Sequence, residues 1–406
     1  MVPEGWKSRE FGEVTRIANG QVDPRIEPYS SLPHIGPENI VSDSGQIVDV
    51  KLCSELGLIS GKYLFDENAI VYSKIRPNLN KVCKPGFSGV CSADMYPIWP
   101  KDGVDSGFLF QLMLSQKFVS HAIAVSMRTG MPKINRAELT AIPVNIPPIN
   151  EQITIAKILA TWDQAITTAE QLLASSQQQK KALLQRLLTG KRRFPKFQAG
   201  SGYKKTKYGE IPVDWQFTSL ASIARQVSKR NIDGKDYPVL SCSKHYGFVN
   251  SLDYFSKKVY STDVSGYKVI ERGCFGFPSN HIEEGSIGYQ NICDAGIVSP
   301  IYIVFKANEQ MVDSQFLYAL LKTEYYKQIF SAATNASVDR RGSLRWDDFS
   351  KIKVQLPSLA EQRSIVRGLS AADREIETLQ HQLAGLKKEK KALMQQLLTG
   401  KRRVSI

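Results

Sequence analysis

No stretch of these 406 residues approaches the roughly 18 consecutive apolar positions that cross a bilayer. Residues 1–9 also lack the apolar stretch of a secretion leader. Both absences predict a cytoplasmic chain without a membrane role. The six cysteines (Cys53, Cys83, Cys91, Cys242, Cys274, Cys293) form no CxxC pair, so reduced and mostly buried thiols are expected. The five histidines (His34, His121, His245, His281, His381) form no cluster with metal-ligand spacing, so no metal site is expected. Catalytic signatures are missing too. Asn145-Ile146-Pro147-Pro148 matches an amino-methyltransferase motif only in some letters, and no glycine-rich phosphate loop follows a strand. No catalytic residue is assigned, which points to a binding subunit. Acidic residues are also in short supply: 39 Asp and Glu face 53 Lys and Arg, a net charge of +14. A field of that sign attracts polyanions and favours nucleic acid as a partner.

What is present, first of all, is a repeat. Val144–Arg193 matches Val354–Arg403 at 23 of 50 positions without a gap, and both copies end in Leu-Leu-Thr-Gly-Lys-Arg-Arg. An internal repeat marks a repeated structural unit. The repeat extends outward. Pro3-Glu4-Gly5-Trp6 matches Pro212-Val213-Asp214-Trp215, Phe11 and Val14 match Leu220 and Ile223, and Leu139 and Ile142 match Phe349 and Ile352. Between these framing segments the halves scarcely resemble each other. One scaffold with two different specificities, related by a half-turn, is expected.

The long repeat reads as helix. Ile155, Leu159, Trp162, Ile166, Ala169, Leu173, Ser176, Lys180, Leu183 and Leu187 step by four and three residues, as do Ile365 through Leu397. That spacing keeps one stripe facing a partner helix and predicts an antiparallel coiled coil between the copies. Lys180 and Lys390 interrupt the stripe at equivalent places, as register-fixing polar residues do. Pro147-Pro148 and Pro357 precede the helices, Asn150 is the expected N-cap of the first, and Gly190 and Gly400 the expected left-handed C-caps. Gly368 and Gly385 each cost the second helix up to about 1 kcal/mol. About 38 residues would make each rod roughly 57 Å long.

The remaining segments are mixed α/β or α+β, with an apolar content of 42% that suits globular modules. Ala69–Tyr72, Met95–Trp99, Ile297–Val298 and Ile301–Phe305 read as strands, and Ser106–Val125 and Asp313–Ala333 as helices. Residues 1–145 and 208–355 are the modules, 146–195 and 356–406 the helical repeats, and 196–207 a basic linker. Candidate DNA contacts collect in equivalent parts of the modules. After one apolar run come Lys74, Arg76 and Lys81, and after the other Ser279, Asn280 and His281. Before each helix lie Arg128, Lys133 and Arg136, then Arg340, Arg341 and Arg345. Arg, Lys and Asn read purine edges, and the cations neutralise phosphates.

Pro-x-x-Trp, a variable module, Ile146-Pro147-Pro148-Ile149-Asn150-Glu151-Gln152 or Leu356-Pro357-Ser358-Leu359-Ala360-Glu361-Gln362, a long helix and the Leu-Leu-Thr-Gly-Lys-Arg-Arg tail together resemble the specificity subunits of type I restriction–modification systems. The resemblance spans essentially the whole chain. It implies two target recognition domains, each reading half of a bipartite site in double-stranded DNA, held apart by the helices. It also implies two methyltransferase subunits and motor-nuclease subunits as partners, with S-adenosylmethionine, ATP and Mg used by those partners and no cofactor in this chain. Two other readings stay open: a coiled-coil nucleic-acid-binding scaffold outside restriction–modification, and a stand-alone DNA-acting enzyme.

Overall fold

The computed structural model describes residues 2–126, 132–198, 202–232, 234–257, 260–335 and 342–404. The chain forms two compact units, Met1–Leu172 with Leu379–Ile406, and Leu173–Thr378. The helical repeats contribute to both units. The first runs Ile149–Leu188 and the second Leu359–Leu397, 40 and 39 residues.

In the first unit a four-stranded antiparallel sheet has the order Thr15–Ile17, Met95–Pro100, Ile70–Ser73, Val82–Cys83. Ile70–Ser73 is buried throughout, as its unbroken apolar run requires. A second sheet has one parallel pair, Pro33–Ile35 with Gly89–Cys91. The second unit repeats the first sheet as Ala224–Val227, Tyr302–Ala307, Cys274–Pro278, Gly288–Tyr289. Each module is closed by a strand pair between framing segments, Lys7–Glu10 with Pro143–Ile146 and Gln216–Ser219 with Lys353–Leu356.

Both helical runs expected inside the modules are broken in two. Ser106–Leu114 is followed by Gln116–Ser126, with Ser115 extended between them and its Oγ accepting from the Phe118 N–H. Ser314–Leu321 is followed by Glu324–Asn335, where the Thr323 Oγ1 accepts from Tyr326. Hydroxyl caps restart the helix in a new direction. Asn150 is not the cap: it lies inside the first turn, and the Pro148 carbonyl accepts from Glu151 and Gln152. Within the linker, Tyr203–Thr206 is a strand that pairs with Gly209–Pro212.

Within each unit the long helices run antiparallel. In the first, Lys390 meets Asp163 and Lys387 meets Glu170; in the second, Lys180 meets Asp373. Lys180–Asp373 and Lys390–Asp163 are the same contact made twice, each seam lysine taking an aspartate of the other helix. The stripe has two jobs. Ile155 and Leu159, and Ile365 and Leu369, are buried in module cores, while Ile166, Leu173, Ile376 and Leu383 are half-buried, as two rods alone leave a seam partly open. At Gly368 an added Cβ would come 3.1 Å from the Phe194 ring, so this glycine makes room for a close neighbour.

The most specific letters of the repeat form a lock. Glu151, fully buried, accepts from the Trp6 indole (3.2 Å) and from Arg403 (2.7 and 2.9 Å). Glu361 likewise accepts from Trp215 (3.3 Å) and Arg193 (2.8 and 2.7 Å). The tail of each long helix therefore closes the module that the other long helix begins on. Gly190 and Gly400 turn these tails at φ +71° and +70°, against Pro212 and Trp215 or Pro3 and Trp6. The neighbouring glutamines fix the helix starts. Gln152 accepts from the Asp105 N–H and donates to the Gly103 and Pro147 carbonyls, and Gln362 does the same with Asp313, Met311 and Pro357. The cysteines are free thiols, four buried and two half-buried.

Candidate nucleic-acid interface

Segments far apart in the sequence meet at one edge of each module. In the first unit the chain leaves strand Ile70–Ser73 and meets the residues that precede the helical repeat. The Arg76 N–H donates to the Pro132 carbonyl, the Ile134 N–H to the Lys74 carbonyl, and Ile75 bridges Lys133. In the second unit the Leu344 N–H donates to the Ser279 carbonyl at the equivalent place. The two sets of candidates thus become one edge per module.

The candidate side chains then divide. Lys74 lays its stem on the Tyr96 ring, 5.0 Å from ammonium to centroid, with 9% of the residue exposed. Burial, and then the charge of Lys133, push its pKa down. Its ammonium has no hydrogen-bond acceptor among the described residues. Arg76 is exposed at φ +48°, a strained backbone for a side-chain-bearing residue and one more common at functional sites. Lys133 is exposed beside them. By contrast, Arg136 donates to the Ile17 and Ala18 carbonyls while stacking over Tyr96, and Lys81 donates to the Pro37 carbonyl. These two cations are engaged within the fold. Arg128, Arg340 and Arg341 lie outside the described residues.

The second edge is chemically different. Ser279 is buried, the Asn280 Oδ1 is buried without a partner among the described residues, and His281 is exposed. Arg345 is exposed at the start of Trp346–Phe349. His281, Glu283 and Glu284 bring donor atoms within 4.8 Å of one another, with His281 Nδ1 and Glu284 Oε1 3.4 Å apart. The turn Ile282–Glu284 thus gathers one histidine with two carboxylates, and their spacing matches no metal motif. An i,i+3 histidine–glutamate contact accounts for two of the three.

The scaffold is thus doubled and the edges it carries differ. The family model described as "Type I restriction modification DNA specificity domain" matches residues 3–175 and again 212–388. The chain belongs to that family. The two matched stretches are the two halves of the repeat, so this type I specificity chain carries the domain twice. It is 27% identical over 431 aligned positions to the Type I restriction enzyme MjaVIII specificity subunit of Methanocaldococcus jannaschii, covering 99% of this chain and 94% of that one. A stretch of 156 residues is 40% identical to the EcoDI specificity subunit of Escherichia coli, covering 38% of this chain and about a third of that relative (34%). The crystal structure of the HsdS subunit from Thermoanaerobacter tengcongensis shares the fold, with a TM-score of 0.55 at 18% identity over 99% of this chain and 98% of that one. Among the described residues no single helix is long and apolar enough to cross a membrane.

Proposed function

We propose that this chain is the non-catalytic reader of a type I restriction–modification complex, each module reading one half of a bipartite, asymmetric DNA target. What carries the reading is one repeated scaffold holding two unlike edges: cationic Lys74, Arg76 and Lys133 on one, and Ser279, Asn280, His281 and Arg345 on the other. Two unlike edges read two unlike half-sites. Lys81 and Arg136 act as positioning residues for the first edge, since each already donates to carbonyls of the fold. Two methyltransferase subunits and the motor-nuclease subunits supply the chemistry in the cytoplasm, using S-adenosylmethionine, ATP and Mg.

Mapping methylated adenines across the genome, with and without this chain, tests the reading. The expected result is a two-part motif that vanishes when the chain is deleted. An unchanged methylation map would overturn it. Within the assembled complex, Lys74→Ala or Arg76→Ala should relax one position of one half-site by roughly 1–3 kcal/mol if it reads a base, or lower the salt slope by about 1 if it holds a phosphate. Binding that is unchanged in both variants removes them from the edge.

A further inference from the structure

The second module carries an exposed aromatic ring at the tip of a hairpin. Strands Leu240–Ser243 and Gly247–Asn250 form a hairpin whose turn is Lys244-His245-Tyr246. The backbone of this turn is tied from two sides. The Ser243 Oγ accepts from the N–H groups of His245 and Tyr246 (3.3 and 3.4 Å). Lys322 donates to the Lys244 carbonyl (2.6 Å) and to the Gly285 carbonyl (3.0 Å). Gly247, at φ +70°, passes so close to Tyr318 that an added Cβ would lie 2.6 Å from its hydroxyl. On this fixed backbone Tyr246 is 74% exposed, with His245 and Tyr254 edge-on at 6.4 and 6.3 Å. The Tyr246 hydroxyl has no hydrogen bond among the described residues.

Lys322 places this tip beside the Ser279–Gly285 loop, which the Leu344 N–H ties to the segment before Arg345. The tip therefore shares the second module's candidate edge. An aromatic ring on a rigid tip loses little freedom when it stacks, and every base offers it a face. We propose that Tyr246 stacks on, or wedges into, a base step within the half-site read by the second module. This rests on the reading that the second module contacts DNA, and it assigns that contact to stacking where the first module uses charge.

The test uses the intact chain assembled with its methyltransferase subunits. The probe is a duplex carrying the methylation-mapped target, with 2-aminopurine placed at one position at a time in the second half-site. Wild type should raise the fluorescence at one step. Tyr246→Ala should abolish that rise and weaken binding on the order of tenfold, with an unchanged salt slope, and Tyr246→Phe should keep both. If Tyr246→Ala binds like wild type while replacing the second half-site still abolishes binding, the tip plays no part and the module reads DNA without it. A loss of affinity accompanied by a flatter salt slope overturns stacking in favour of charge. If replacing the half-site changes nothing, the proposed function falls together with the inference.

Discussion

Arg193 and Arg403 hold equivalent places on the two tails, yet the locks they close are unequal. Arg193 keeps 9% of its side chain exposed and binds two carboxylates, Glu361 and Asp214. Arg403 keeps 44% exposed and binds one, Glu151, plus the Glu4 carbonyl. The difference traces to one framing residue: where the second half has Asp214, the first has Gly5, at φ +76°. Glu361 first, and then Asp214, raise the pKa of Arg193, and Arg193 in turn lowers that of Asp214. The duplicated frame fixes which groups meet, and a single unmatched residue sets how firmly they hold.

The largest test of this contrast removes each arginine. Arg193→Ala strands Glu361, 1% exposed, and should cost on the order of 3 kcal/mol. Hydrogen exchange should show the loss concentrated in Leu173–Thr378. Arg403→Ala should cost less and open the other unit. Equal losses would show that Asp214 adds nothing.

A smaller difference between the units depends on pH. His34 is 4% exposed, with neither ring nitrogen hydrogen-bonded among the described residues. Burial, and then the charge of Lys62, hold its pKa below the ordinary value. An unfolded imidazole takes its proton near pH 6.5, before the folded one does. The stability that depends on neutral His34 is therefore complete above that pH and is lost as pH falls towards the folded value. Melting from pH 7.5 to 5.5 should weaken the first unit, and His34→Leu should flatten that slope. A slope unchanged by the substitution would clear His34.

The finest distinction lies in the seam. Lys390 is 7% exposed, and its partner Asp163 also accepts from Gln111. Asp373, the partner of Lys180, has 58% of its side chain exposed. Double-mutant cycles should give about 1 kcal/mol for Lys390–Asp163 and less than about 0.5 kcal/mol for Lys180–Asp373.

Much of the frame could be read in advance because the repeat spelled it twice. Helix lengths, left-handed Gly190 and Gly400, and the buried Trp, Phe and Leu positions all follow from period and punctuation. The breaks at Ser115 and Thr323 were hidden, because a hydroxyl that restarts a helix looks like any polar residue in an amphipathic run. The candidate edges were only half legible. Their segments were visible, but the bonds of Arg76 to Pro132 and Leu344 to Ser279 span dozens of residues. Whether a cation donates to the fold's carbonyls, like Arg136, or lies over a ring without an acceptor among the described residues, like Lys74, depends on which groups lie nearby. Tyr246 gave no signal, since exposure on a tip is a tertiary property.

The exchange of tails also bears on how the chain is born. A ribosome adding about 5–20 residues per second finishes the first module long before residues 397–403 exist, yet Glu151 and Trp6 wait for Arg403. The second module has its closing arginine in hand from Arg193 onward and needs only Glu361. The portion translated earliest is therefore the last to be sealed, and it spends tens of seconds as a nascent domain with an unneutralised carboxylate at its seam.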